Sequence, residues 1–194
     1  MKPRILIAGV GNIFLGDDAF GVEVVREMLG HPMPAGVKIV DFGIRGLDLT
    51  YALLEDYEAA ILVDATPRGE APGTVYLIEP EAGDPAACGE LSQNDLLIET
   101  HGMHPAKVLR LVVGMGGKLR QVLVVGCEPT PFDPEQDMDM NLSPPVRAAI
   151  PEAIKLIESV IAKILSGDTQ PLVNESKGAC DVVTSGTDVR GIAS

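Results

Sequence analysis

The stretch RILIAGV, residues 4–10, is a short apolar run that ends on two glycines one residue apart, Gly9 and Gly11. The stretch DDAFGVEVVREML, 17–29, follows it and places Phe20, Val24, Val25 and Leu29 on one helical face. A strand that turns at glycines straight into an amphipathic helix is the opening of a βαβ unit, in which the helix carries the chain across to a parallel neighbour. VKIVDFG (37–43) and AAILVDA (59–65) read as the next two strands, with the helical LDLTYALLEDY (47–57) between them. The order is therefore β-α-β-α-β.

TVYLIEP (74–80) lies too close behind the third strand for a helical crossover, so it is expected antiparallel or at an edge, and the sheet is mixed. HPAKVLRLVVGM (104–115) reads as a helix with Pro105 in its first turn, and QVLVVGCEP (121–129) as a further central strand. From Ser143 to Leu165 the residues Val146, Ile150, Ile154, Ile157 and Ile161 recur at three- and four-residue steps. This is a closing amphipathic helix, with Ser143 as its cap and a kink expected at Pro151. The fold expected is α/β, three layers α/β/α around a mixed, mostly parallel sheet. Residues 1–165 form its one domain, and the Gly-, Ser-, Thr- and Asp-rich segment 166–194 reads as a disordered tail.

Composition narrows the function classes. Hydrophobic residues make up 46% of the 194 positions but aromatics only 4%, which suits the Val/Ile/Leu core of a parallel sheet and not a β-sandwich. The formal net charge of -13 argues against nucleic acid and anionic membrane surfaces as partners. Three widely spaced cysteines outside any C-x-x-C pattern suit a reducing compartment. With neither a signal peptide nor an apolar span read in the sequence, the expectation is a cytoplasmic, monomeric protein.

The acids carry the functional argument. Asp17 and Asp18 follow the first strand, Asp41 closes the second and Asp64 closes the third. Ligands of open α/β sheets gather at the carboxyl ends of parallel strands, so these carboxylates are expected to share one crevice. Like charges so gathered raise each other's pKa unless a cation neutralises them. Asp17 has an alternative role as a cap of the first helix. His101 and His104, in the polar stretch ETHGMHPAKVL, add imidazole donors of the kind that with carboxylate suits Zn, Ni or Fe. His31, in GHPMPAG, reads as a solvated loop residue.

Competing motifs fail on particulars. GVGNIF has Phe14 where a dinucleotide fingerprint needs its third glycine, and two acids there would repel a pyrophosphate. The signatures G-x-S-x-G, H-E-x-x-H and D-T-G are missing.

ILIAGVGNIFLGDDAFGVEVV, ILVDATPRGEAPGTV and THGMHPAKVL together resemble the hydrogenase maturation proteases, in order and over about the first 165 residues. The resemblance implies a five-stranded mixed sheet and a cytoplasmic endopeptidase that trims the C-terminus of the large-subunit precursor of a nickel-iron hydrogenase after nickel insertion. It implies a nickel-recognition site at Asp18, Asp64 and His101, the nickel being supplied by the substrate. Asp18 stands where the family often has Glu. Asp41 matches a further family acid and is carried over as a catalytic or substrate-positioning group. After the second strand many members read D-G-G-T-x-G, whereas this chain reads DFGIRGLD, which bears on which hydrogenase is processed. Water activation by the metal and by an acid acting as general base both remain open. A non-enzymatic nickel or zinc chaperone using the same three ligands is the alternative from another class, and a nucleotide-binding domain is disfavoured by the charge.

Overall fold

In the computed structural model, residues 5–79, 105–118, 120–131 and 140–167 are described. Five strands, β1 (Ile5–Val10), β2 (Val37–Gly43), β3 (Ala59–Ala65), β4 (Val75–Ile78) and β5 (Val122–Cys127), form one sheet in the order β2-β1-β3-β5-β4. The first three strands and β5 are parallel, and β4 runs antiparallel on the edge beside β5. The mixed sheet expected from the short 65-to-75 connection is present.

Side-chain alternation divides the core into two layers. Ile5 and Ile7 of β1, Ile61 and Val63 of β3, and Leu123 and Val125 of β5 pack on one face with α1 (Phe20–Met28) and α4 (Pro144–Ser166). Leu6 and Ala8, Ala60 and Leu62, and Val124 face the other way, against α2 (Gly46–Leu53) and α3 (Pro105–Gly114). Strands buried on both faces need apolar residues at nearly every position, which is why they appear in the sequence as unbroken runs. Each fully buried aliphatic side chain contributes roughly 1.5–3 kcal/mol to this core.

The first helix starts differently from the simple reading of 17–29. Gly16–Ala19 form one 3₁₀ turn before α1 begins at Phe20. That turn rests directly on the sheet: Gly11 has φ +131, and a Cβ there would overlap the Asp18 carbonyl oxygen. A Cβ on Gly21 would overlap the carbonyl oxygens of Val10 and Val63. The glycines near the first turn thus bring the helix onto β1 and β3; they do not make room for a phosphate.

In α4, Val146, Ile150, Ile154, Ile157 and Ile161 are all buried, as their spacing requires. Pro151 lies inside the helix without ending it. Ser143 holds the cap position and its carbonyl accepts from Arg147 N–H, but its hydroxyl makes no capping bond and turns to Asp17 instead. Gly167 closes the helix in the left-handed region, φ 69. α4 thus ends at Ser166, and of the segment 166–194 read above as a tail, residues 168–194 lie outside the described residues. Among the described residues no helix is long and apolar enough to cross a membrane.

Candidate active site

Asp64 is the penultimate residue of β3 and pairs in register with Gly126 of β5. Its neighbours Val63 and Ala65 face the α1/α4 layer, so its side chain projects on the α2/α3 side, where it is buried. Burial, and next the charge of Asp18, push its pKa up to about 8, against a smaller lowering by a hydrogen bond from the Ala65 backbone. Asp18 reaches it from the 3₁₀ turn after β1. There the half-buried Asp18 carboxylate accepts a 2.6 Å hydrogen bond from Asn12 N–H at Oδ2. Two segments far apart in sequence therefore bring a pair of carboxylates together at the carboxyl ends of the strands, as expected of this sheet type.

Asp41 stands apart from that pair. It is in register with Gly9, whose own Cβ direction leads into Val25 of α1, so Asp41 lies on the α1 face of the sheet. There it forms an ion pair with Arg26 of α1, Nε to Oδ2 3.5 Å, in a partly exposed setting. Its backbone carbonyl accepts from Arg45 Nη2, and Arg45 Nε donates to the Phe42 carbonyl at 3.1 Å. The expectation that all the strand-end acids share one crevice is thus corrected: Asp18 lies near enough to Asp64 for its charge to act on it, while Asp41 is on the opposite face because alternation along β2 and β3 puts it there.

The departure at DFGIRGLD divides between core and surface. The register of β1 and β2 shifts between Gly9 and Val10, so that Gly9 faces Asp41 and Val10 faces Gly43, with Phe42 left unpaired. Phe42 is buried against the α2/α3 layer, whereas Ile44 is exposed.

His101 and His104 lie outside the described residues, and no group of three or more metal-ligating side chains occurs among those described. The position of α3 is informative all the same. Gly117, just past α3, packs against Leu54, just past α2, so both helices end at one end of the sheet and begin at the other. Their beginnings are at the end that carries Asp18 and Asp64. His101 is four residues ahead of Pro105, the first residue of α3, in the sequence.

Two further acids are engaged locally. Asp17 does not cap its own helix; its carboxylate accepts from Ser143 N–H (2.7 Å), Ser143 Oγ (2.9 Å) and Thr130 N–H (2.9 Å). Glu128, one residue past β5, was not among the expected site residues. It is buried and accepts from Arg68 N–H at 2.7 Å, Gly69 N–H at 3.1 Å and the Tyr76 hydroxyl. Burial opposes its ionisation, but these bonds and one from the Glu70 backbone outweigh that and hold the carboxyl below its ordinary range. The same burial and the Glu128 bond raise the Tyr76 phenol. The available sequence signal was the acid placed immediately after VLVVGC, the pattern that also marks Asp41 and Asp64.

A buried carboxyl whose like-charged neighbour disfavours ionisation is a site that gains from a cation, and two carboxylates alone leave most of a metal's coordination positions open. The sequence profile of the hydrogenase maturation protease family matches residues 22–160. The hydrogenase expression/formation protein HupD of Rhodobacter capsulatus is 30% identical over 174 residues, spanning 87% of this chain and 78% of that one. HupD of Rhizobium leguminosarum bv. viciae is 30% identical over 160 residues, spanning 82% of this chain and 74% of its own. Among solved structures, the E. coli hydrogenase maturating endopeptidase HybD superimposes with TM-score 0.63 at 29% identity, covering 84% of this chain and 94% of that one. The chain belongs to the hydrogenase maturation protease family, a family of endopeptidases.

Proposed function

We propose that this protein removes a C-terminal peptide from the nickel-loaded large-subunit precursor of a nickel-iron hydrogenase, using Asp18, Asp64 and His101 to recognise the nickel that the substrate carries. The observation that supports the reading is the Asp18–Asp64 pair: burial and a neighbouring charge raise Asp64 to about 8, so the pair is best satisfied when a cation arrives. Nickel here is part of the substrate. Two carboxylates and one imidazole would contact an ion already held by the precursor and leave it there, which links cutting to metal loading.

The bond to be cut is a peptide, so water must be activated. One route is an acid acting as general base, either Asp41, which lies on the α1 face with Arg26 beside it, or one of the carboxylates of the Asp18–Asp64 pair. The bound nickel offers the other route, by polarising the scissile carbonyl or its water.

The test is cleavage of purified nickel-loaded precursor by the wild type and three variants. Asp64→Asn and His101→Ala should lose cleavage together with precursor binding. Asp41→Asn should lose turnover yet still bind. Full cleavage by Asp64→Asn contradicts the assignment, and tight nickel binding with no change in partner mass would identify a metal chaperone instead.

A further inference from the structure

Asp18 and Asp64 come from separate segments and repel each other, so something else must hold them at a fixed spacing. The fastenings of both segments run to the residues at and just beyond the end of β5 and to Ser143, the cap of α4. From the Asp18 side, Asp17 grips Thr130 N–H and both polar groups of Ser143 that face it, and Thr130 Oγ1 donates to Ser143 Oγ at 2.8 Å. From the Asp64 side, Thr66 N–H donates to the Cys127 carbonyl at 2.8 Å. The chain that continues from there is held by Glu128, whose side chain takes Arg68 N–H, Gly69 N–H and the Tyr76 hydroxyl. The Glu128 backbone pairs with Gly73 N–H (2.8 Å) and the Thr74 carbonyl (2.9 Å).

Asp17 receives three hydrogen bonds at its carboxylate and Glu128 four, the fourth from the Glu70 backbone, and charge-assisted bonds of this kind are about twice as strong as neutral ones. We infer that Asp17 and Glu128 are positioning residues: Asp17 fastens the Asp18 turn to Thr130 and to the Ser143 cap of α4, Glu128 fastens the loop after Asp64 to the end of β5, and together they set the spacing of Asp18 and Asp64. The inference rests on the reading that this pair meets the substrate's cation. Recognition of a metal requires its ligands to be held within about 0.5 Å, which a strand-end acid and a turn acid that repel each other would not achieve without such fastenings.

The test uses the full chain with Asp17→Asn, Glu128→Gln and, as a comparison of stability alone, Ile157→Val in the α4 core. An amide at position 17 or 128 keeps the shape but turns an NH2 toward groups that are themselves donors. Melting temperature and steady-state cleavage of nickel-loaded precursor are measured for each. The expected result is a tenfold or greater loss of kcat/KM in Asp17→Asn and Glu128→Gln, carried chiefly by KM. Ile157→Val should stay within twofold even where its melting temperature falls as far. Asp17→Asn combined with Asp18→Asn should be no worse than Asp18→Asn alone.

If either amide variant does not fold, Ser143→Ala and Tyr76→Phe, which each remove one donor, should show two- to fivefold losses of the same kind. Full kcat/KM in Asp17→Asn and Glu128→Gln, losses no larger than those of Ile157→Val, or additive losses in the double variant would each overturn the inference. Full cleavage by Asp18→Asn would instead overturn the reading of the site, and the inference with it.

Discussion

Asp64 of β3 carries its carboxyl under the influence of the Asp18 carboxylate, and burial together with that charge pushes its pKa up to about 8. The two residues are supplied by different βα units, and the sheet order β2-β1-β3-β5-β4 makes their strands neighbours.

Stability should fall as pH rises. The folded pKa of Asp64 is raised above the unfolded value of about 3.9, so the native state binds the extra proton. Below about pH 4 both states are protonated and nothing is lost; the native state is then penalised progressively up to about pH 8, by about 6 kcal/mol at most. Thermal melts between pH 4 and pH 9 should show the wild type losing melting temperature over that window. Asp64→Asn should flatten the profile and melt higher than the wild type at pH 9.

Removing the neighbouring charge should act on the same titration. Burial is the larger cause of the shift and Asp18 the second, so Asp18→Asn should lower the Asp64 midpoint without restoring it to the ordinary carboxylate range. Carboxyl-carbon NMR titration of the two proteins reads this directly, and an unmoved midpoint would mean that the two groups do not interact.

Gly21→Ala should be among the most damaging single changes. Its new methyl would overlap the carbonyl oxygens of Val10 and Val63, both backbone atoms of buried strands that cannot swing aside. A loss of about 3 kcal/mol or more is expected, of the size produced by overpacking a core. Urea denaturation would register it as a lowered midpoint at unchanged slope.

Arg26→Ala should be mild by comparison. Its ion pair with Asp41 is partly exposed, and such pairs contribute about 0–1 kcal/mol. The melting temperature is therefore expected to stay within a few degrees of the wild type, less so at low salt.

The sheet and helices were legible in the sequence because each strand is a run buried on both faces and each helix has an apolar stripe. Val146, Ile150, Ile154, Ile157 and Ile161 announced α4 by spacing alone. Asp64 and Asp18 were legible as strand-end acids for the same reason. Asp41 was legible as a strand-end acid too, but its separation from the crevice of Asp64 was not, because a run such as VKIVDFG does not by itself say which of its alternating faces meets α1. The roles of Asp17 and Ser143 were not legible, since these two residues are 126 positions apart and each has a sufficient local role as a helix cap. Glu128 was hidden similarly, its donors lying 59 and 60 positions back.

The most direct test of the central claim is the intact mass of the hydrogenase large-subunit precursor before and after incubation with this protein, run in parallel on nickel-loaded and nickel-free substrate. The account predicts loss of a C-terminal peptide from the loaded precursor alone, and no loss from either when Asp64→Asn replaces the wild type. Equal trimming of the nickel-free precursor, or an unchanged mass of the loaded one, would contradict it.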